Sequence, residues 1–148
     1  MESLDINNPM NCTVNLIKKI KRNLTRKSDN LMRKFDISSG QFSLLTALYY
    51  NEGLKASQMS IYFEMEKSTM SRELKIMKKK GLIRYNKNSK GRGKEIYLTP
   101  LGREIYEKAL KEWKKIQKNI INHIGIKNFK ALIDINEKLQ DMREKQAE

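Results

Sequence analysis

Apolar residues recur at helical spacing over most of the chain, and interruptions in that rhythm divide it into segments. Asn8-Pro9 supplies an N-cap and a first helical residue. Met10, Val14, Ile17, Leu24, Leu31 and Phe35 then share one stripe, which predicts a single amphipathic helix over 9–35. At roughly 1.5 Å per residue it would extend about 40 Å, more than a small domain needs to cover its own core, and such a helix packs against another chain. Ser38 and Gln41 form a capping box ahead of the apolar run 42–50, which Asn51-Glu52-Gly53 ends. Two shorter helices, over 56–63 and 67–80, are separated by Glu64-Met65-Glu66, the arrangement of a helix-turn-helix.

After Gly81 the period changes from helical to alternating. Leu82-Ile83-Arg84-Tyr85 and Glu95-Ile96-Tyr97-Leu98 flank the polar stretch 86–94, predicting a two-stranded hairpin with a long basic tip. Thr99-Pro100 caps a helix in which Leu101, Ile105, Ala109, Trp113, Ile116 and Ile120 keep helical spacing until Gly125. A last helix is predicted over 127–143, with Phe129, Leu132, Ile135 and Leu139 inward and a frayed end beyond 140. The expected fold is mainly α with a small β-hairpin wing. Within a single domain of 1–148, a winged helix-turn-helix lobe at 37–99 joins a helical dimerisation region formed by 9–35 and 100–143.

A formal net charge of +14 changes the picture, because it calls for a partner with dense negative charge. Nucleic acid is the first candidate and an anionic membrane the second. Between Lys18 and Lys34 eight basic residues face one acid, and between Lys55 and Glu95 twelve face four. From Arg103 onward the mixture is eleven to eight, the pattern of a solvated helical surface, so the electrostatic footprint lies in the first two thirds. The amino-terminal residues lack the basic start and apolar block of a secretory signal, and no apolar run reaches membrane-spanning length. A soluble, cytoplasmic protein with no membrane partner is expected. Cys12 is the only cysteine, which excludes an intrachain disulfide and a cysteine-based zinc cluster.

On a helical wheel the 67–80 segment puts Met70, Leu74 and Met77 on one face. The opposite face gathers Ser68, Arg72, Lys75 and Lys79, flanked by Thr69, Ser71 and Ile76. A helix lying in a major groove needs this composition: Arg pairs with guanine in two bonds, Ser and Thr reach base edges or phosphates, and Ile touches a thymine methyl. Exposed helix faces are polar in any case, so the segment alone leaves both readings open. The hairpin tip tilts the balance, since Lys87, Lys90, Arg92 and Lys94 stand among Gly91 and Gly93 and an ordinary turn needs no such charge. Arg92, at the apex, is the candidate for a narrow minor groove, and the three lysines for phosphate.

The order of these parts resembles the MarR family of winged helix-turn-helix regulators. The stretches "MEKSTMSRELKIMKKKGLIRY" and "GRGKEIYLTPLG" look like that family's recognition helix, turn and wing-closing strand, and the resemblance covers nearly the whole chain. It implies a homodimer whose first and last two helices interlock while two winged lobes straddle a pseudo-palindromic stretch of double-stranded DNA. It also implies a transcriptional repressor, with a small aromatic or phenolic effector as the releasing ligand. This chain departs from the pattern at Lys90, where the family commonly places an acidic residue that holds the wing arginine. It departs again at Lys55, where a hydroxyl N-cap is usual and Ser57 comes one step late.

Cys12 lies near where peroxide-sensing relatives of that family keep a reactive thiol, but their tyrosines have no counterpart near Leu16, Asn23 and Lys27. If Cys12→Ser still loses DNA on peroxide treatment, a Cys12 sensor is excluded. His123, the only histidine, sits at a helix end where it can cap carbonyls. With no second histidine, phosphate loop or activated nucleophile, no enzyme activity, catalytic residue, metal or cofactor is expected. Phe42, Tyr49, Tyr50 and Trp113 suit either a core or an effector cavity. The competing class is a winged-helix module for protein assembly or RNA binding, which would show salt-sensitive, sequence-blind binding.

Overall fold

The computed structural model describes residues 5–86 and 93–144, in two compact units that meet between Leu110 and Lys111. In the first unit, Pro9–Asn11 form a 3-10 turn, and helix α1 begins only at Thr13 and runs to Met32. The single helix expected over 9–35 is therefore broken. Asn8 caps the turn by accepting from the Met10 amide, as its position before Pro9 requires, but Cys12 leaves the helical region at ψ 118°. The Asn11 side chain also donates to the Asp5 carbonyl at 2.8 Å, a local bond that competes with helix propagation. At the other end Arg33–Phe35 tighten into a 3-10 turn, and Asp36 closes it in the left-handed conformation at φ 55°. At about 1.5 Å per residue, α1 spans about 30 Å.

Helix α2, Ser39–Tyr50, starts from the capping box expected at Ser38 and Gln41, with both reciprocal bonds present. A carboxylate from another helix assists it, because Asp29 of α1 accepts from the Ser39 amide at 2.8 Å. Those bonds to Ser39 hold the Asp29 carboxyl below its ordinary pKa of 3.8. Asp29→Ala should cost about 1 kcal/mol near neutrality, as a denaturation midpoint would report. A lowered folded-state pKa stabilises above the unfolded value and is lost as pH falls through the folded one. The deficit of the variant should therefore vanish in strong acid, and a deficit independent of pH would contradict the charge-assisted bond.

Leu54–Lys55 form strand β1, which leads directly into α3, Ala56–Tyr62; α4 follows at Lys67–Lys79. Strands β2, Ile83–Tyr85, and β3, Glu95–Leu98, complete an antiparallel sheet of order β1-β3-β2. The sheet thus has three strands, against the two expected. Leu54 pairs with Ile96 and Lys55 with Glu95 in a bridge too short to leave an alternating pattern in the sequence. The core lies among α1, α2, α4, the sheet and the start of α5, where Met32, Leu45, Leu48, Met70, Met77, Ile96 and Tyr106 are fully buried.

Helix α5, Pro100–Ile124, opens on Thr99, whose hydroxyl accepts from the Gly102 amide at 3.0 Å. Its buried stripe is Gly102, Tyr106 and Ala109, whereas Leu101 stays 47% exposed. The expected stripe through Leu101 and Ile105 is thus rotated by one position. The reason is steric: Gly102 lies against the Leu82 backbone, and a Cβ there would stand 2.0 Å from the Leu82 carbonyl oxygen. Tyr106 stacks on Phe42 at 5.4 Å and tilts against Tyr49 at 4.6 Å, and burial raises its phenol pKa.

In the second unit α5 ends at Gly125, with φ 84°, and α6 runs over Ile126–Glu144. The Asn128 side chain donates to the Ile124 carbonyl at 2.7 Å, so the carbonyl cap assigned to His123 is made here by a different residue. Leu132, Ile135 and Leu139, expected inward, are exposed in the isolated chain, and Phe129 is only half-buried. An amphipathic stripe specifies an apolar contact, not which chain supplies it.

Candidate nucleic-acid interface

Helix α4 is mounted on the lobe through Met70, Leu74 and Met77, all essentially inaccessible. Its flank is fixed by Glu73, which accepts from the Gln41 side chain at 3.2 Å, and its end by Lys80, which bonds the Asp36 carbonyl and pairs with the Asp36 carboxylate at 3.4 Å. The turn before it is closed by the Met65 amide donating to the Ser60 carbonyl, with Glu64 left-handed at φ 49°. With that face anchored, Ser68, Ser71, Arg72, Lys75 and Lys79 are exposed and Thr69 is half-buried. The structure brings these six together on one outward helix surface. Ile76, beside them, is 37% exposed.

Of the wing residues, Lys87, Lys90 and Arg92 lie outside the described residues, and Lys94 is exposed at the base of β3. Arg84 on β2 was not singled out by the sequence pattern. Its guanidinium lies 4.8 Å from the Tyr97 ring centroid, which holds a further cation on the outward side of the sheet. Lys78 was also passed over, and its ammonium lies 5.1 Å from the Tyr85 ring centroid. Both signals were present as strand alternation and helix flank positions, but an aromatic partner distant in sequence is not visible before folding.

At the start of α3, Gln58 accepts from the Lys55 amide at 2.8 Å, the half of a capping box that needs no hydroxyl at Lys55. Helix α3 therefore begins at Ala56 without the usual cap residue. Cys12 is half-buried between the 3-10 turn and α1. Phe42 and Tyr49 serve as packing partners of Tyr106, while Tyr50 is 67% exposed. Trp113, in the second unit, lines a cavity of about 290 Å³ with Lys114, Gln117, Lys118 and Ile121. Among the described residues there is no cluster of three or more His, Cys, Asp or Glu able to hold a metal ion, and no helix long and apolar enough to cross a membrane.

A helix-turn-helix followed by a three-stranded wing and an outward cationic helix face defines a winged helix-turn-helix protein. Residues 37–91 match the model of the MarR family. The chain is 28% identical over 100 residues to the uncharacterized HTH-type transcriptional regulator YdgJ of Bacillus subtilis (strain 168). That match covers 67% of this chain and 61% of the relative. The fold resembles the transcriptional repressor CouR bound to a 23-mer DNA duplex, with a TM-score of 0.81 at 16% identity over 93% of this chain and 99% of that one. It also resembles the M. tuberculosis transcriptional regulator MosR in complex with DNA, with a TM-score of 0.76 at 23% identity over 89% and 98%.

Proposed function

We propose that this chain is a sequence-specific DNA-binding transcriptional regulator that acts in the cytoplasm as a homodimeric repressor. The observation that carries this reading is the partition of α4, with Met70, Leu74 and Met77 sealed in the core and Ser68, Arg72, Lys75 and Lys79 open on the other side. A helix so mounted presents a rigid donor set to base edges, with Arg72 as the guanine reader and the serines and lysines on flanking bases and phosphates. Arg92 is assigned to the minor groove, and Lys87, Lys90 and Lys94 to the backbone.

Dimerisation is supported by apolar side chains with no cover in the isolated chain: Val14, Leu16 and Ile17 on α1, and Ile133, Ile135 and Met142 on α6. A twofold dimer sets its two recognition helices roughly 34 Å apart, in successive major grooves. A small ligand that changes this separation disengages both lobes together, the release typical of MarR-family regulators. No catalytic step belongs to this reading.

The test is selection of bound duplexes from a random library, with the mass of the protein measured in the same preparation. An inverted repeat with half-sites about one helical turn apart, bound by a dimer, is the expected result. A folded protein that recovers no motif would overturn it in favour of sequence-blind binding.

A further inference from the structure

The basic run between Lys18 and Lys34 lies on α1 and the turn after it, apart from the recognition helix and the wing. Lys18, Lys21, Arg22, Arg26 and Arg33, all exposed, line one open cleft of about 510 Å³ with Thr25 and Asp29. At about 100° per residue, Arg22 and Arg26 lie roughly 140° and 180° round α1 from Ile17. They stand opposite the apolar arc of Leu16, Ile17 and Val14, so a dimer joined through that arc leaves them open. Lys18 with Lys21, Lys18 with Arg22, and Arg22 with Arg26 are like-charged neighbours on one helix, an arrangement that destabilises it. None of the five cations makes an ion pair among the described residues. Asp29 is the only acid on α1, and its carboxylate is committed to the Ser39 amide at 2.8 Å. The bonds to Ser39 and, less strongly, the charge of Arg33 keep that carboxylate ionised.

We propose that this cleft binds a small oligophosphate, a chain of two or three phosphate groups, whose occupancy is felt at the recognition helix through Asp29. The cleft has the volume of a small-ligand site. Lys18, Arg22 and Arg26 follow one another about 6 Å apart along the axis, a ladder that a lone carboxylate does not span. Arginine forks grip phosphate oxygens in paired bonds, and the Thr25 hydroxyl adds a donor. Negative charge placed beside Asp29 competes for Arg33 and weakens the bond to Ser39. Ser39 opens α2, and Gln41, in the same first turn, donates to Glu73 of α4 at 3.2 Å. By linkage, oligophosphate and operator then weaken each other's binding, an arm that rests on the DNA-binding reading above.

The experiment titrates sodium tripolyphosphate into the full chain by calorimetry at constant ionic strength. Wild type is compared with the double variant Arg22→Gln, Arg26→Gln and with Lys114→Gln, Lys118→Gln, which removes the same charge from an exposed pair of the same spacing on α5. The α1 variant should bind tripolyphosphate about tenfold more weakly, and the α5 variant should match wild type. A wild type that takes up no tripolyphosphate overturns the site, as does an equal loss in both variants. The α1 variant should keep the wild-type affinity for a random duplex. A duplex loss as large as the tripolyphosphate loss overturns the assignment in favour of a second DNA surface. Operator affinity measured with and without tripolyphosphate then tests the relay. Wild type and the α5 variant should lose operator affinity by the same factor, and the α1 variant should lose less. Asp29→Asn, whose side-chain carbonyl can still accept from Ser39, should bind tripolyphosphate but lose less operator affinity than wild type. An Asp29→Asn protein that responds as wild type does overturns the relay. If wild type binds neither duplex, the DNA-binding reading fails by itself, and the calorimetric comparison still decides the cleft.

Discussion

Gly102→Ala should destabilise the winged lobe by about 3 kcal/mol or more, at the upper end of what overpacking a core costs. The added methyl would sit 2.0 Å from the Leu82 carbonyl oxygen, 2.9 Å from its carbon and 3.2 Å from the Leu82 Cα. All three are backbone atoms, so no rotamer change relieves the overlap. Nor is the strand end free to retreat, because the Leu82 carbonyl accepts from the Thr99 amide at 3.0 Å and the Leu82 side chain is buried. Relief would require α5 to move off the sheet, taking Tyr106 and Ala109 with it. Gly40→Ala is the matched control, since a Cβ there meets only the Ser38 hydroxyl at 3.7 Å. That substitution within α2 should stabilise by roughly 0.5–1 kcal/mol. Chemical denaturation of the two variants checks the pair, and a Gly102→Ala protein as stable as wild type would mean that α5 does not approach the sheet this closely.

Arg72→Ala should reduce the ratio of operator to random-duplex affinity by roughly 10- to 100-fold, the 1–3 kcal/mol of one good bidentate base contact. Arg72 is exposed at the centre of the outward face of α4, and no ion pair among the described residues competes for its guanidinium. Its helix is held by contacts on the other side, so truncation should leave stability within about 0.5 kcal/mol of wild type. Binding competitions at one salt concentration, with operator and random duplex labelled in turn, separate the roles. An equal loss on both duplexes would show that Arg72 grips phosphate and reads no base.

Much of this architecture was legible because it rests on local chemistry. The Ser38–Gln41 box, the Thr99 cap, the glycine stop at 125 and the helical period of α4 each involve residues within about a turn of one another. What escaped depends on residues far apart in sequence. Strand β1 is two residues long and defined only by its partner on β3; the rotation of the α5 stripe comes from Leu82 pressing on Gly102. The break at Cys12 is the exception, being local but hidden beneath an apolar stripe that continues across it. At the interface the same division holds. The outward set on α4 followed from one helix and its period, whereas the contacts of Arg84 with the Tyr97 ring and of Lys78 with the Tyr85 ring required separate elements to meet.

The order β1-β3-β2 also governs how the lobe can assemble. The central strand is the last of the three along the chain, so Leu54 waits for Ile96 and Ile83 for Leu98. Strands β2 and β3 meet across the short stretch 86–94, but β1 can pair only after a much longer loop closes, which raises the contact order and slows the folding of an otherwise helical protein. A nascent chain ending before β3 would carry the recognition helix but leave both outer strands unpaired, their edges open to other chains. The sheet is therefore completed late along the chain, and it is the last strand that ties the first two together.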